Sequence, residues 1–463
     1  MRRHHITLGL LVVAGTAFAV MQTLVIPALP FFRREFGTSQ ADTTWLVTGF
    51  LLSSSVLTPL LGKLGDMYGK KRVMVSCLAI FGGGSLAAAV GGSLAWLVAC
   101  RVVQGAGAAV FPLAFGIIRD EFAAEERGVA IGLMSSVFGL GGGLGLVGSG
   151  FVLDALSWPW LFVIGGIPVL VAAALIWAFV PESPVRRGGR PDFLGAAVFS
   201  AALVALLLGV TKGEQWGWFS MGIIALFATS AVAFAAWIAI ERRVPEPLVD
   251  LRTLANPAMA LTNAATVSVG FSLTAFFVLM PAFVQVPTFG YDASLPQAGL
   301  YFIPSAVAMI VCGPAAGWLG TRFGHAVALR IGLAASAAAF LLLAFAHDDP
   351  ALALVWMGLL GVGIAFALAA IGTLVIENSH ASETGVASGV NLIMRTVGAA
   401  VGAQVAAAVI SAATPAGALL PHESGFTTSF ALAGLAVTLA LIPAFALGGR
   451  SRRLRLRPAL SPA

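Results

Sequence analysis

The chain contains two copies of a short glycine-rich pattern, and this duplication restricts the possible folds. Residues 62–70 read GKLGDMYGK and residues 317–325 read GWLGTRFGH, so the copies share G-x-L-G-x-x-(aromatic)-G at an offset of 255 residues. A second pair, ERGVAIG at 126–132 and ETGVASG at 383–389, agrees at an offset of 257. Two nearly equal offsets predict two related, parallel halves, and in a membrane protein such halves enclose a pathway.

Apolar stretches of membrane-spanning length recur along the chain. Of all residues, 59% are hydrophobic and 10% are charged, whereas soluble domains carry about 25% charged residues. Each stretch can cross the roughly 30 Å hydrocarbon core as a helix, and the alternating pattern of a membrane β-barrel is absent. We therefore predict an all-α integral membrane protein. The fourteen predicted spans are 7–29, 42–61, 73–90, 94–116, 128–152, 160–180, 193–211, 219–240, 257–285, 296–319, 326–346, 351–376, 385–411 and 427–448.

Basic residues are unevenly distributed between the predicted loops. With the N-terminus inside, 21 of the 26 Lys and Arg residues lie on the inner side and 3 lie outside. Because cytoplasmic loops collect Lys and Arg, we expect both termini to be cytoplasmic. The excess of Arg over Lys, 22 to 4, is typical of a GC-rich bacterium, so the expected location is the bacterial cytoplasmic membrane. The anionic inner leaflet accounts for the net charge of +6, and no nucleic-acid partner is expected.

The repeat divides the fourteen spans into six, two and six. We predict an N-terminal six-helix bundle over 1–185, a two-helix insert with its joining loops over 186–255, and a C-terminal six-helix bundle with a basic cytoplasmic tail over 256–463. The insert has no counterpart in the repeat. Since one chain holds both related halves, a monomer is expected.

Motifs of enzymes and cofactor sites are absent from the sequence. It contains no H-E-x-x-H, no G-x-S-x-G and no P-loop, and its three scattered cysteines form no metal-binding pattern. We expect no enzymatic activity, no metal and no cofactor. An integral membrane transferase is a less favoured alternative, because it would need clustered polar side chains at one depth.

Four segments resemble signatures of the major facilitator superfamily. Residues 62–72 (GKLGDMYGKKR) resemble its loop 2–3 signature, 101–109 (RVVQGAGAA) its helix-4 signature and 139–150 (GLGGGLGLVGSG) its helix-5 antiporter signature. Residues 387–402 (ASGVNLIMRTVGAAVG) resemble helix 13 of the fourteen-helix drug:proton antiporter branch. The resemblance implies the major-facilitator fold and export of amphiphilic drugs or natural products in exchange for protons. Import or facilitated passage by the same fold is the alternative.

Several positions depart from the family patterns. Met21 stands where the helix-1 pattern usually has Asp, and Met67 stands where the loop 2–3 signature usually has a base. Leu146 and Ser149 replace a Pro and a Gly of the helix-5 signature. These departures separate the chain from typical pumps for cationic drugs.

The loop at 62–72 is predicted to be a conformational latch between the halves. Asp66 is its only acid, and such a residue can pair with an Arg or cap a helix N-terminus, where the dipole favours negative charge. By the repeat, its candidate partners are Arg127 and the start of helix 13 near Thr384. A plain solvated turn is the alternative. The predicted latch comprises Gly62, Gly65, Asp66, Gly69, Lys70, Arg72 and Arg127.

Two arginines lie inside apolar spans, where a charge must face a cavity or a partner. The resemblance implies that Arg101 senses or relays protonation, and snorkelling to the membrane surface is the alternative. Arg395 lies deeper, one helical turn from Asn391. The predicted substrate cavity comprises Gln22, Thr23, Arg101, Gln104, Gln285, Asn391 and Arg395.

No Asp or Glu lies near the middle of a predicted span. Proton coupling needs a titratable group, so the candidates are Asp42 and Asp154 at the external mouth and Asp66 on the inside, together with Arg101. A cavity with two arginines and no deep acid disfavours dications and suits neutral or anionic amphiphiles. The expected partners are a small amphiphilic substrate and the lipid bilayer, and the expected energy source is the proton gradient.

Small residues form one face of helices 5 and 13. Gly141 and Gly145 match Gly398 and Gly402 at the offset of 257, and small residues let membrane helices approach closely. We expect these faces to pack across the interface between the halves, with ordinary helix packing as the alternative.

Overall fold

The structure, a computed structural model, describes residues 2–185, 192–245, 247–415 and 421–455. This part of the chain is helical and has no strand. Fourteen helices are long and apolar enough to cross a membrane, which confirms the predicted number. They are α1 Arg2–Leu24, α2 Gln40–Tyr68, α3 Lys70–Ala89, α4 Leu94–Glu121, α5 Ala124–Ala155, α6 Pro159–Phe179, α7 Phe193–Trp216, α8 Met221–Glu241, α9 Pro257–Val284, α10 Gln297–Phe323, α11 His325–Phe345, α12 Pro350–Glu377, α13 Ala381–Ala412 and α14 Glu423–Arg455.

Tight turns join the helices that carry the repeated pattern. Gly69 separates α2 from α3 with φ +113°, and Gly324 separates α10 from α11 with φ +98°. These glycines hold equivalent places in the two copies, and a positive φ is readily adopted only by glycine. The repeat therefore encodes the same helix–turn–helix corner twice.

Each half has its own apolar core among the described residues. One cluster of buried side chains is built from α1–α6, with Ile376 of α12 as a single addition. The other is built from α9–α14. The predicted boundaries at 185/186 and 255/256 stay a prediction, and residues 186–191 next to the first of them lie outside the described residues.

The inserted helices lie beside one seam between the halves. Helix α7 packs on α8 and also touches α2 of the first half and α13 of the second. A third apolar cluster joins Phe199 and Trp237 of the insert to Val386 and Val390 of α13. The insert therefore contacts both halves along the α2–α13 seam.

The halves meet through repeat-related helix pairs, α2 with α13 and α5 with α10. A Cβ atom added to Gly62 would lie 2.5 Å from the carbonyl oxygen of Gly385, and one added to Gly317 would lie 1.9 Å from that of Gly128. Gly62 matches Gly317 and Gly128 matches Gly385 in the repeat. The two repeated patterns therefore contact each other crosswise, as a pseudo-twofold axis requires.

Backbone contact at this seam makes side chains costly there. We expect Gly317→Leu to force α5 and α10 apart, because overpacking a well-packed contact costs about 1–3 kcal/mol. Thermal unfolding in detergent should show a midpoint several degrees lower. Gly83→Leu on α3 is the matched control, since a Cβ there meets no atom within 4 Å. Equal midpoints for the two variants would contradict the close contact.

Candidate functional site

Asp66 lies at the seam between α2 and α13, at the end of the bundle that carries residues 62–72, called here the motif end. Its side chain is fully buried, and its carboxylate accepts hydrogen bonds from the backbone N–H groups of Gly385 (3.0 Å) and Val386 (3.2 Å). These donors belong to the first turn of the α-helical part of α13, where the helix dipole stabilises a negative charge. Of the two predicted partners, the start of helix 13 is the one in contact.

Arg127 takes no part in this contact. Its Nε donates to the carbonyl oxygen of Phe122 (2.9 Å), within the first half. The pairing of Asp66 with Arg127 that the repeat allowed is therefore not formed. Arg127 lies in the first turn of α5, and its hydrogen bond to Phe122 stabilises the turn between α4 and α5 of the first half.

A buried lysine joins Asp66 to a second acid. Lys70 Nζ lies 2.6 Å from an oxygen of Asp120 and 3.8 Å from Asp66, and all three side chains are at most 2% exposed. The Ser183 hydroxyl also donates to Asp120. Because a buried charge without a partner is strongly destabilising, Lys70 and the start of α13 together hold the two carboxylates in place.

Arg119 on α4 makes a second connection between the halves. Its Nη1 donates to the hydroxyls of Ser379 (3.0 Å) and Thr384 (2.8 Å), and its Nη2 donates to the carbonyl oxygen of Ser379 (2.9 Å). A guanidinium at the C-terminal end of α12 also complements the dipole of that helix. Sequence reasoning missed Arg119, because a base near a span end carries no specific signal. Its partners became evident only in the fold.

The second half repeats this arrangement without the capping acid. His325 Nε2 lies 3.5 Å from an oxygen of Glu377, and these residues match Lys70 and Asp120 at the two repeat offsets. Thr321 stands in the place of Asp66, so the α5–α10 seam has no equivalent carboxylate. Within the described part of the chain, the charged cap is thus formed at the α2–α13 seam.

The other predicted latch residues contact their own half. A Cβ added to Gly65 would lie 2.2 Å from a methyl group of Leu113 on α4. Arg72 is mostly exposed, and its Nε lies 3.7 Å from Glu182. The Glu182 carboxylate also accepts from the backbone N–H of Arg72 (3.2 Å), so it caps α3. These contacts shape the corner between α2 and α3 rather than the seam.

Arg101 is fully enclosed in the first half. Its Nε donates to the carbonyl oxygen of Leu46 (2.9 Å), and its Nη1 donates to the side-chain oxygen of Gln104 (2.8 Å). The guanidinium lies 4.4 Å over the ring of Phe50. Since Arg101 is 1% exposed, its side chain does not snorkel to the surface.

Arg395 lies at the centre of the molecule. Its guanidinium is 4.2 Å over the ring of Phe138 on α5, and Phe138 is its repeat partner at the offset of 257. Equivalent residues of two pseudo-symmetric halves can touch only beside the axis that relates them. Phe138 also stacks on Phe111 at 4.0 Å between ring centroids.

A run of aromatic rings connects the two arginines. Phe50 lies 6.3 Å from Phe18, Phe18 lies 5.9 Å from Phe111, and Phe111 stacks on Phe138. Each distance is within the range of favourable ring contacts. A continuous run of packed aromatic rings therefore connects Arg101 to Arg395 through the core of the first half.

The remaining predicted cavity residues lie within their own halves, and three of them form side-chain hydrogen bonds there. Thr23 donates to the carbonyl oxygen of Gly141 (2.9 Å), and Gln285 donates to that of Pro281 (2.6 Å). Gln22 is half-buried on α1. Asn391 donates to the side chains of Asn263 and Thr266 on α9, both at 2.8 Å. Among the seven residues, the contacts bring together only Arg101 and Gln104.

The four repeat-matched glycines pack inside the halves instead of between them. Added Cβ atoms at Gly141 and Gly145 would collide with Ala19 and Thr23 of α1, and those at Gly398 and Gly402 would collide with residues of α9. The expectation that they face the other half is corrected, because α5 and α13 turn these faces toward α1 and α9. The α5–α10 seam is lined by other glycines nearer the motif end, such as Gly132 and Gly313.

The two proton-coupling acids predicted for the external mouth lie at the opposite end from the motifs. Asp42 is exposed in the first turn of α2, where its carboxylate accepts from the hydroxyls of Ser39 (2.6 Å) and Thr38 (3.1 Å). Asp154 is exposed in the last turn of α5. Their part in proton coupling stays a prediction.

Removing the charge of Asp66 should weaken the closed motif end. Asp66→Asn loses charge–dipole and capping stabilisation worth about 1–2 kcal/mol, which shifts the closed–open equilibrium by about 5–30-fold. Maleimide labelling of a single cysteine at buried Ser388, in a background with Cys77, Cys100 and Cys312 replaced by Ala, should accelerate accordingly. Glu126→Gln, an exposed acid at the same end, should leave the rate unchanged. Unaltered labelling in Asp66→Asn would refute the cap.

The two arginines near this seam should differ in effect. We expect Arg119→Gln to accelerate labelling at position 388 several-fold, because it removes hydrogen bonds across the seam. Arg127→Gln should have little effect, since Arg127 bonds within its own half. A larger effect of Arg127→Gln would reinstate it as the latch partner.

Comparisons with known proteins agree with this architecture. The family model described as Major Facilitator Superfamily matches residues 11–194 and 192–403. Multidrug resistance protein Stp of Mycobacterium tuberculosis is 31% identical over 402 residues, covering 86% of this chain and 74% of that protein. The lincomycin resistance protein of Streptomyces lincolnensis is 31% identical over 459 residues, covering 96% of this chain and 92% of that protein. The crystal structure of the human organic anion transporter MFSD10 superposes with a TM-score of 0.69 at 16% identity, covering 96% of this chain and 99% of that one. The chain is a multi-pass membrane protein that belongs to the major facilitator superfamily.

Proposed function

We propose that the chain exports amphiphilic drugs or natural products in exchange for protons, by alternating access between its two halves. The observation that carries this proposal is the capping of α13 by Asp66 of α2. This contact joins two bodies that must separate at one end when the pathway opens there. The proposal needs one chain, no cofactor and no partner subunit.

Orientation follows from the basic residues. The motif end carries most of the loop Lys and Arg residues, and such loops are cytoplasmic in bacterial membrane proteins. The motif end, which is closed in this structure, is then the cytoplasmic end, and both termini are cytoplasmic. Asp42 and Asp154 then lie at the external side, where protons enter in an exchange that exports substrate.

The names of similar proteins support export over uptake. The relatives from Mycobacterium tuberculosis and Streptomyces lincolnensis are named for resistance to drugs. A protein of Streptomyces glaucescens, 29% identical over 393 residues, is named for resistance to tetracenomycin C and for its export. Resistance by a transporter requires that the compound leaves the cell.

Opening the motif end has a substantial energetic cost. Hydrogen bonds to charged groups contribute about 1.5–3 kcal/mol each, and both Asp66 and Arg119 must release theirs. A ligand can shift such an equilibrium only by its differential affinity for the two states. Release of protons and binding of substrate on the inner side would supply the difference in affinity between the state with a closed motif end and the state with an open one.

Everted membrane vesicles with an acid interior test the coupling. A dye quenched by the acid interior should recover fluorescence when lincomycin or another amphiphile is added, because its uptake into the vesicle releases protons. Asp154→Asn should lower this response at least several-fold. Glu125→Gln, an exposed acid at the other end, is the matched control.

Other outcomes would replace this proposal. Compound accumulation without proton movement would exclude antiport and leave facilitated transport. Net uptake by intact cells, driven inward by the same gradient, would establish an importer.

A further inference from the structure

The two arginines inside the membrane-spanning helices differ in how they are satisfied. Arg101 donates to Leu46 and Gln104 and is enclosed. Among the described residues, the guanidinium of Arg395 contacts the ring of Phe138 and has no hydrogen-bond acceptor or carboxylate. Arg395 is half-buried, so its side chain is not fully packed by protein atoms.

Arg395 lies deep in the membrane. It is eleven residues beyond Thr384, the first residue of the α-helical part of α13, which places it about 16 Å along the helix at 1.5 Å per residue. The hydrocarbon core is roughly 30 Å thick, so Arg395 is near its middle. An ionisable side chain at this depth marks a substrate or ion pathway and requires a partner.

The contact with Phe138 leaves the hydrogen-bonding edge of Arg395 available. A cation–π contact supplies charge stabilisation but no hydrogen-bond acceptor, so the N–H donors of the guanidinium stay unfilled. Two parallel donors match the two oxygens of a carboxylate. Beside these donors, Phe138 is partly exposed and offers apolar area to a flat aromatic body, while Phe111 is buried and supports the ring of Phe138 from within the first half.

We propose that Arg395 binds the carboxylate of an aromatic, anionic substrate whose ring system packs against Phe138. This inference rests on the proposed export function and names the substrate class of the central site. Phe138 and Arg395 belong to different halves, so a compound held by both touches both moving bodies. Arg101, which is enclosed and donates to Leu46 and Gln104, is a positioning residue between α2 and α4 and does not bind the anion.

A matched pair of probes tests the proposal. Pyrenebutyrate carries an aromatic body and a carboxylate, and its N-methyl amide has nearly the same shape without charge. With Arg395→Gln in everted vesicles, we expect accumulation of pyrenebutyrate to fall about tenfold or more, which corresponds to the loss of a charge-assisted contact. Accumulation of the amide should stay within about twofold, and that readout also shows that the variant folds. Arg395→Lys, which keeps the charge but loses the planar fork, should recover part of the activity.

Direct binding separates this proposal from the export function. The Kd of purified protein for pyrenebutyrate, measured by fluorescence, should rise about tenfold in Arg395→Gln. Binding that depends on Arg395 without any accumulation in vesicles would support the site and refute export. Export of the amide alone, with no binding of pyrenebutyrate, would support export and overturn the anion site. Equal losses for both probes in Arg395→Gln would also overturn it, because Arg395 would then be structural.

Discussion

The contact of backbone with backbone at the motif end is the constraint on which the rest of the structure depends. Gly62 faces Gly385 and Gly317 faces Gly128 so closely that a Cβ would collide with a carbonyl oxygen. This approach brings the first turn of α13 within reach of Asp66, since a larger residue at position 62 or 385 would separate the helices. The charged cap is therefore a consequence of glycine packing, and the same packing sets the position of the pseudo-twofold axis.

Charge is arranged asymmetrically on this nearly symmetric frame. At the α2–α13 seam the buried Asp66 has backbone donors and Lys70 as partners, while the equivalent Thr321 at the α5–α10 seam has no charge. The inserted helix α7 also lies along the α2–α13 seam. The two seams thus differ in charge, and an inserted helix packs along the α2–α13 seam, although both seams share the same close contact between glycines. In the centre the asymmetry is equally clear, because Arg395 faces its own repeat partner, Phe138.

Sequence reasoning was reliable where a residue's environment is set locally or by the bilayer. Apolar length predicted the fourteen helices, and each copy of the repeated pattern contains the glycine that forms a corner in the structure, Gly69 or Gly324. Sequence reasoning also offered the start of helix 13 as a partner for Asp66, beside Arg127, but could not choose between them. It missed Arg119, and it assigned Gly141, Gly145, Gly398 and Gly402 to the wrong neighbours. A small face indicates close packing but does not say against which helix.

The sequence by itself determined the membrane location, the helical class and the duplication, because backbone hydrogen bonding in lipid permits few alternatives and a repeat is visible without coordinates. Only the tertiary structure decided which helices meet, which buried charges are satisfied and which are not. Those properties depend on the rotation of each helix about its axis and on contacts between residues far apart in the sequence, such as Asp66 with Gly385. Arg101 and Arg395 look alike in the sequence, yet the fold encloses one with acceptors and leaves the other over an aromatic ring.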